Sequence, residues 1–257
     1  MCKDSTPQDS KKIWDEALLT IKEPVPEKQI WNKDSVGHGH KQKNSKLGVV
    51  MIECREHPDL KPVLWNMANI YGGTETSLYI FHGTKNEDYI KNITGVWKNV
   101  IYVNMGVENL TWQEYSYKLT TWQFWDNIKT KFCLIFQTDT LIFKQIPENF
   151  FEYDFIGAPT GIQKLLNGGF SLRNTSVVKE TSKKFGPEYP KGYNGAEDSF
   201  FAYYLHDSIH AKSKYPDFFT ASSFAAERFY SKDPVGIHKP WEHNCPHVMK
   251  CLLENLN

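Results

Sequence analysis

The chain has 257 residues, of which 40% are hydrophobic and 14% aromatic, a composition that supports a buried core and excludes a disordered chain. Its 30 basic and 30 acidic residues cancel, so neither the basic excess of a nucleic-acid-binding protein nor an acidic tail is present. Its five cysteines are odd in number and lack the spacing of a disulfide scaffold, which favours reduced thiols in an intracellular protein.

The first 45 residues are predicted to be an extension that is flexible or partly helical. A short helix is expected around Lys11 to Ile21, and the polar stretch 33–46 is typical of a loop or linker. His38 and His40 lie in that stretch and could bind a metal, although histidines in such loops are usually solvated. The first 30 residues lack the apolar core of a signal peptide, and no run approaches the ~18 apolar residues of a membrane span. We therefore expect a soluble, cytoplasmic protein.

Residues 46–140 alternate between short apolar strands and amphipathic helices. Four apolar segments are predicted as strands: Leu47 to Cys54, Ser77 to Phe81, Asn99 to Val103 and Phe132 to Phe136. Three helices are predicted between them: Leu60 to Met67, Glu87 to Ile93, and a helix from the capping box of Thr111 and Glu114 to about Trp125. Strands that alternate with helices in this way predict a parallel α/β sheet that is buried on both faces.

The second half of the chain has a different character. Shorter strands are predicted at Phe151 to Ala158 and at Gly169 to Arg173, and a helix is expected to begin near Gly195. The last 35 residues, rich in Pro, His and Trp, are expected to be irregular. The sequence thus predicts a single α/β domain over residues 46–257, with the extension before it.

Polar residues follow three of the predicted strands. They are Glu53 and Arg55 after the first, Asn104 after the third, and Gln137, Thr138 and Asp139 after the fourth. In open α/β sheets, ligands bind at the carboxyl ends of the strands. A carboxylate at that edge, such as Asp139, can hold a divalent cation that leaves its other positions to phosphates and water. An aspartate after a strand is also a common turn residue.

Two further polar clusters lie in the second half. The paired glycines of Asn167-Gly168-Gly169 would allow a ligand to approach the backbone closely, and they are equally compatible with a hairpin turn. Glu197 and Asp198 begin a predicted helix, where acidic residues also favour the helix dipole. A carboxylate at this place could act as a general base on an acceptor hydroxyl.

The segment GIHKPW contains His238, Lys239 and Trp241. An imidazole suits a metal ion and a lysine ammonium suits a phosphate, so the first two could serve a nucleotide diphosphate. A rival interpretation is a zinc site further on, with the ligands His243, Cys245, His247 and Cys251. Their compressed spacing differs from the two separated ligand pairs of structural zinc sites.

Six segments occur in a recognisable order: MIECREHP from Met51, FQTDT from Phe136, YDFIGAP from Tyr153, NGGFSLR from Asn167, EDSFF from Glu197 and GIHKPW from Gly236. Together they resemble a family long catalogued only as a domain of unknown function and placed among the GT-A glycosyltransferases. That family occurs in large DNA viruses, bacteria, fungi and algae. The Asn- and Lys-rich composition suits an AT-rich viral genome, and a viral protein would be expected in the host cytoplasm.

The resemblance implies a GT-A fold, mixed but mostly parallel, with a Rossmann-like nucleotide-binding half, 46–140, and an acceptor half, 141–257. It implies that Mn²⁺ or Mg²⁺ is held by Asp139, the last acid of the DxD motif, and by His238. The latter resembles the metal histidine of glycogenin-like and bacterial galactosyltransferases. Gln137 stands where the first acid of DxD would be, and Asp198 resembles the base of inverting enzymes.

The remaining residues are assigned by the same resemblance. The donor nucleotide is expected to contact Glu53, Arg55, Asn104, Gln137, Thr138 and Lys239, and the donor sugar and acceptor are expected to contact Asn167, Gly168, Gly169, Glu197 and Trp241.

The expected function is transfer of a hexose or pentose from a nucleotide-diphosphate sugar, UDP- or GDP-linked, to a hydroxyl of a glycan or glycoprotein, with inversion. Three alternatives stay open. One is a retaining transferase on the same fold, and the second is an inactive GT-A module that binds glycans or partners, which the glutamine at 137 favours. The third is a nucleotidyltransferase, which would need a basic glycine-rich loop where Glu53 to Pro58 contains no glycine.

Overall fold

A computed structural model describes residues 6–24, 45–162, 165–186, 195–207, 213–244 and 246–256. The predicted loop with His38 and His40 lies outside these ranges, as do Cys2 and Cys245. The rival zinc site, which would need Cys245, therefore stays a prediction. The described cysteines, Cys54, Cys133 and Cys251, are free thiols.

Nine strands lie in the described ranges: β1 Leu47–Glu53, β2 Ser77–His82, β3 Val100–Asn104, β4 Phe132–Phe136, β5 Thr140–Ile142, β6 Phe155–Pro159, β7 Leu166–Asn174, β8 Ala225–Ala226 and β9 Gly236–His238. The α-helices of the same ranges are α1 Pro7–Thr20, α2 Leu60–Tyr71, α3 Glu87–Thr94, α4 Trp112–Leu119, α5 Trp122–Trp125, α6 Thr175–Phe185, α7 Glu197–Ala202, α8 Phe218–Phe224 and α9 Pro246–Leu253. Short 3₁₀ turns occupy Glu148–Glu152, Pro240–Glu242 and Glu254–Leu256, and α7 continues into a π-helical turn at Tyr203–Asp207.

The central sheet has six strands in the order β3-β2-β1-β4-β7-β6. Strands β1 to β4 pair in parallel, while β7 runs antiparallel to both of its neighbours. Every residue of β1, β2 and β4 is buried, as expected for strands covered on both faces. The mixed, mostly parallel sheet with helices on its faces that the sequence predicted is confirmed.

Alternate residues of the strands feed two separate cores, because successive side chains of a strand point to opposite faces. Val49 and Met51 of β1 pack on one face together with α1, α2 and α3. Val50 and Ile52 pack on the other face together with α4, α5 and α7. The apolar run without alternation at 47–54 is therefore explained by burial on both sides.

A second sheet of three strands, in the order β5-β9-β8, contacts β6 and β7 of the central sheet. Thr140 of β5 pairs with His238 of β9 in antiparallel register, and Ala226 of β8 pairs with Ile237 in parallel register. This register places three side chains at one edge of the small sheet. Asp139 precedes β5, Glu227 follows β8, and His238 is the last residue of β9.

The N-terminal extension is helical over Pro7–Thr20, and this helix is packed into the domain. Thr6 and Asp9 form a capping box, which satisfies the free N–H groups at the helix start. Trp14 is fully buried, and its ring lies 4.7 Å from that of Trp241. Because Ser10 also donates a hydrogen bond of 2.7 Å to the carbonyl of Asn244, α1 supports the segment that follows β9.

Three sequence predictions about elements are wrong. The helix expected to reach Trp125 ends at Leu119, because the hydroxyls of Thr120 and Thr121 bond backbone carbonyls at 2.8 and 2.6 Å and interrupt it. The strand expected from Phe151 begins at Phe155, after a 3₁₀ turn. The last residues are not irregular throughout, since Pro246–Leu253 forms a helix.

Helix α6 was not predicted from the sequence. No helix in the described part of the chain combines the length and the hydropathy that a bilayer-spanning segment needs.

Candidate active site

A cavity of about 310 Å³ opens where the ends of β4, β7, β8 and β9 meet the first turns of α4 and α7. Most of the predicted site residues line it: Gln137, Asp139, Asn167, Gly168, Gly169, Glu197, Asp198, His238 and Lys239. Three larger cavities of about 400, 470 and 450 Å³ contain none of the predicted residues. The smaller cavity is therefore the candidate active site.

Asp139, Gln137 and His238 converge at one side of this cavity. The Nε2 atom of His238 lies 3.4 Å from Oδ1 of Asp139 and 3.2 Å from Oε1 of Gln137. The strand register produces this arrangement, because the N–H of Lys239 donates a 2.9 Å bond to the carbonyl of Asp139 across the β5–β9 pair. At 3.4 Å the carboxylate and imidazole form an ion-pair contact longer than a charge-assisted hydrogen bond.

These three atoms fit a divalent cation. Six ligands at about 2.1 Å around an Mg²⁺-sized ion lie about 3 Å from their neighbours, close to the separations seen here. Oδ1 of Asp139 is buried without a hydrogen-bond partner in the described structure, as expected of an atom that serves as a ligand. No group of three His, Cys, Asp or Glu side chains in the described ranges converges as a metal site, and a third donor to a cation at this place would be the amide oxygen of Gln137.

Glu227 completes this part of the site, and the sequence analysis missed it. Its Oε2 lies 3.4 Å from Nδ1 of His238, on the side of the ring away from Asp139. A carboxylate behind a ligating histidine fixes the ring orientation and raises its basicity. A lone glutamate in AAERFY carries no motif, and only the parallel pairing of β8 with β9 places it beside the histidine.

The two carboxylates control the protonation of His238. Burial alone would lower the pKa of the imidazole, but the charges of Asp139 and Glu227 and their contacts overcome it and raise the pKa to about 10. Burial alone would raise the pKa of Asp139, but the adjacent imidazole lowers this pKa below its ordinary value. The carboxylates therefore favour the protonated imidazole, and a cation bound at Nε2 would replace the proton on that nitrogen.

A buried arginine lies behind the opposite wall of the cavity. Arg173 of β7 is fully buried, and its Nη2 donates a 2.6 Å bond to Oε1 of Glu197. Its guanidinium carbon lies 4.8 Å from the ring centre of Phe155 and 5.3 Å from that of Phe201. Arg173 is therefore the ion-pair partner of the Glu197 carboxylate, which is itself buried. Of the two neighbouring carboxyl groups, that of Asp198 is the one that could accept a proton from a ligand.

Asp198 is held by its own helix start. Its Oδ1 accepts a 2.7 Å bond from the N–H of Ser199. Burial, and next the negative charge of Glu197, raise the pKa of Asp198 to about 7. A carboxyl group that is half ionised near neutral pH is suited to general base catalysis.

Gly168 and Gly169 lie so close to these side chains that larger residues would collide. A Cβ on Gly168 would lie 2.2 Å from Oε1 of Glu197, and a Cβ on Gly169 would lie 2.3 Å from Nε2 of His238. Asn167 stabilises the turn, because its Oδ1 accepts a 2.7 Å bond from the N–H of Gly169. The paired glycines are thus required by close packing in the site, beyond the turn itself.

Helix α4 contributes a wall that the sequence analysis read only for its cap. Trp112, Tyr115 and Ser116 line the cavity from successive positions of one helix face. Tyr115 makes a side-chain hydrogen bond with Gln137, and burial raises the pKa of its hydroxyl far above the ordinary value. The tyrosine therefore connects α4 to the amide that faces Asp139 and His238.

Three predicted nucleotide contacts lie elsewhere along the sheet edge. At the end of β1, Arg55 binds Glu53 through two bonds of 2.8 and 2.9 Å. Asn86 ties this end to the next strand, because its side chain donates to the carbonyls of both residues at 3.0 and 2.9 Å. Asn104 ends β3, where its Oδ1 accepts a 2.8 Å bond from the N–H of Gly106. None of these predicted contacts lines the cavity.

Thr138 and Trp241 also lie off the cavity lining. Thr138 is half-buried in the turn between β4 and β5. Trp241 packs against Trp14, and the ammonium of Lys11 lies 5.0 Å above its ring. The observed contacts of Trp241 are those of a residue that connects β9 to α1.

Comparisons with known proteins show the family and the fold of this chain. The model of a family described as "Protein of unknown function (DUF5672)" matches residues 101–238. Crystal structures of the glycosyltransferase GlyE from Streptococcus pneumoniae TIGR4 share the fold, at 11% identity over 83% of this chain. The TM-score is 0.52 for one GlyE structure and 0.54 for the apo form. This chain spans 60% of the length of the GlyE chain. No curated protein matches the sequence.

Proposed function

This chain belongs to the DUF5672 family, and on that premise we propose that it is a metal-dependent glycosyltransferase of the GT-A type. It would transfer a hexose or pentose from a UDP- or GDP-sugar to a hydroxyl of a glycan or glycoprotein, with inversion. The observation that carries the proposal is the convergence of cation donors and a base on one cavity. The shared fold with the glycosyltransferase GlyE supports it.

The donor would bind at the side of the cavity formed by Asp139, His238 and Gln137, which would hold Mn²⁺ or Mg²⁺. Such an ion neutralises the charge that develops on a leaving diphosphate. Lys239 follows His238 in a left-handed conformation with φ 44°, the only positive φ of a non-glycine residue in the described ranges. Strain of this kind concentrates at functional sites, and it supports a role for the Lys239 ammonium in holding phosphate.

The nucleotide would extend from there along the carboxyl ends of the strands. Thr138, Asn104 and the pair of Glu53 and Arg55 all lie at this edge of the sheet, where open α/β folds bind nucleotides. We assign them to the base and ribose because they flank the cavity without lining it.

The acceptor would bind on the side of Asp198. The acceptor oxygen attacks the anomeric carbon and transfers its proton to the carboxylate of Asp198, while the bond from that carbon to the phosphate oxygen breaks. A single displacement of this kind inverts the anomeric configuration. Glu197 is less suited to the task, because Arg173 already occupies its carboxylate.

Assays of the same protein distinguish two other functions from this proposal. A retaining transferase would give a product whose anomeric proton, observed by NMR, has the donor's configuration. An inactive module that binds glycans or partners is favoured by Gln137, which replaces one carboxylate donor. Binding of a nucleotide sugar with neither transfer nor hydrolysis would favour it.

A thermal-shift screen of UDP-, GDP- and CMP-sugars, with and without Mn²⁺, tests the proposal. Ligands that bind only the native state raise the melting temperature. At a ligand concentration of a hundred times Kd they add about 2.7 kcal/mol to the free energy of unfolding. We expect one nucleotide class to stabilise the protein only with Mn²⁺ present, and Asp139→Asn to abolish that shift. The control Asp233→Asn alters an exposed carboxylate outside the cavity. No shift with any nucleotide sugar would refute the proposed function.

A further inference from the structure

Trp112, the first residue of α4, presents an unused aromatic face at the active-site cavity. Its side chain is 52% exposed although it lines that cavity. Within the described ranges its ring contacts no other aromatic ring or cation, and its indole N–H has no hydrogen-bond partner. Trp125, the last residue of α5, differs from Trp112 in both respects. It is fully buried, and its Nε1 donates a 2.8 Å hydrogen bond to the carbonyl of Leu119.

The helix places this ring next to the chemistry. Tyr115 lies three residues further along the same face, and its hydroxyl bonds Gln137 beside the candidate cation position. Trp112 lies about 4.5 Å along the helix axis from Tyr115, towards the helix start. Helix α4 also packs against α7, which carries Asp198, so Trp112 shares the cavity with the proposed acceptor side.

Three carboxylates are among the polar groups that share the cavity with Trp112. Glu197, Asp198 and Glu242 line it, and ionised carboxylates accept hydrogen bonds without donating them. A pyranose offers the complementary surface: an apolar C–H face that packs on an aromatic ring, edged by hydroxyl donors. Among the three carboxylates, Glu197 pairs with Arg173, and Glu242 pairs with Lys239, whose ammonium lies 2.6 Å from Oε1 of Glu242. Asp198, the proposed base, forms no ion pair in the described structure, and its charge when ionised disfavours an anionic sugar beside it.

We infer that Trp112 is the aromatic platform of the acceptor site, and that the acceptor is a neutral pyranoside. This inference rests on the proposed glycosyltransferase function and adds the class of acceptor to it. Sugars that carry a carboxylate are selected against by the ionised carboxylate of Asp198.

The test is a titration of protein labelled with 5-fluorotryptophan, followed by ¹⁹F NMR in the presence of Mn²⁺ and UDP or GDP. Trp112→Phe assigns the Trp112 signal, and Trp122, 38% exposed on the next helix and outside the cavity lining, is the matched control. The probes are methyl hexopyranosides and pentopyranosides of both anomers, and the matching methyl uronides, which differ from the hexosides only in a carboxylate at C6.

We expect at least one neutral pyranoside to shift the Trp112 signal saturably without moving the Trp122 signal. The matching uronide should bind at least about tenfold more weakly. The inference is overturned if no neutral pyranoside moves the Trp112 signal, if both tryptophan signals move alike, or if the uronide binds as tightly. Release of nucleoside diphosphate from a nucleotide sugar, measured on the same protein, reports separately whether the proposed transferase function holds.

Discussion

Replacing Asp198 by Asn separates the catalytic role of this carboxyl group from its effect on stability. The substitution keeps the shape of the side chain and the oxygen that accepts the 2.7 Å bond from Ser199, but it removes the proton acceptor. General bases contribute about 10²- to 10⁴-fold to the rate. We therefore expect kcat to fall by that amount while donor affinity changes little, since the base acts only in the transition state.

The pH dependence of the wild-type enzyme follows from the pKa of Asp198, raised to about 7 by burial and then by Glu197. The base must be ionised to act. We expect kcat/KM to level off above pH 7 and to fall about tenfold per pH unit below it. The residual activity of Asp198→Asn should not follow this curve.

The same pKa shift predicts that the inactive variant is more stable than the wild type. The folded pKa of about 7 lies above the ordinary 3.8, so between these pH values the native state binds a proton that the unfolded state has lost. Stability therefore falls as pH rises through this window and stays low above pH 7. About three pK units correspond to a ceiling of roughly 4 kcal/mol, and water entering the partly open site reduces it.

The assay pairs enzymatic release of nucleoside diphosphate with thermal denaturation at several pH values. At pH 8, Asp198→Asn should melt several degrees above the wild type, at roughly 2 to 4 °C per kcal/mol, and the difference should vanish towards pH 4. Asp233→Asn, at an exposed carboxylate, should change neither activity nor melting temperature. Turnover of Asp198→Asn within about twofold of wild type would refute the assignment of the base.

Three further predictions concern the supporting residues. Glu227→Gln should weaken Mn²⁺ binding about 10- to 100-fold, because the carboxylate no longer orients His238; calorimetric titration with unchanged affinity would contradict this. Gly169→Ala should also weaken Mn²⁺ binding, since its Cβ would lie 2.3 Å from Nε2 of His238. Gly73→Ala, whose Cβ would have no atom within 4 Å, should leave the affinity unchanged, and equal affinities in the two variants would exclude the steric argument. Arg173→Met should lower the free energy of unfolding by about 3–5 kcal/mol in urea denaturation, because Glu197 is left buried and unpaired, and a loss below about 1 kcal/mol would show that the pair is dispensable.

The sequence predicted the elements of the first half well because each has a local cause. The run from Leu47 is apolar at every position and is buried on both faces, and the capping box at Thr111 is formed as expected. The failures have two causes. The helix from Trp112 is interrupted locally, by threonine hydroxyls that bond the carbonyls three residues back, whereas the short strands β8 and β9 exist only through their pairing with each other and with β5.

The site shows the same division. Asp139, Asp198 and His238 could be selected from their motifs, and the structure brings all three to one cavity. Glu227 and Trp112 could not be selected, since a single glutamate or tryptophan carries no local signal. Their positions depend on the strand register and on the face of α4 that meets the cavity.

Release of nucleoside diphosphate by the wild type and by Asp139→Asn tests the central claim most directly. The donor is the nucleotide sugar that stabilises the protein, and each protein is assayed with Mn²⁺ and with excess EDTA. Metal-dependent transfer at the cavity predicts release by the wild type in Mn²⁺ only, and a loss of at least about a hundredfold in Asp139→Asn. Equal release in Mn²⁺ and EDTA, or undiminished release by the variant, would contradict it.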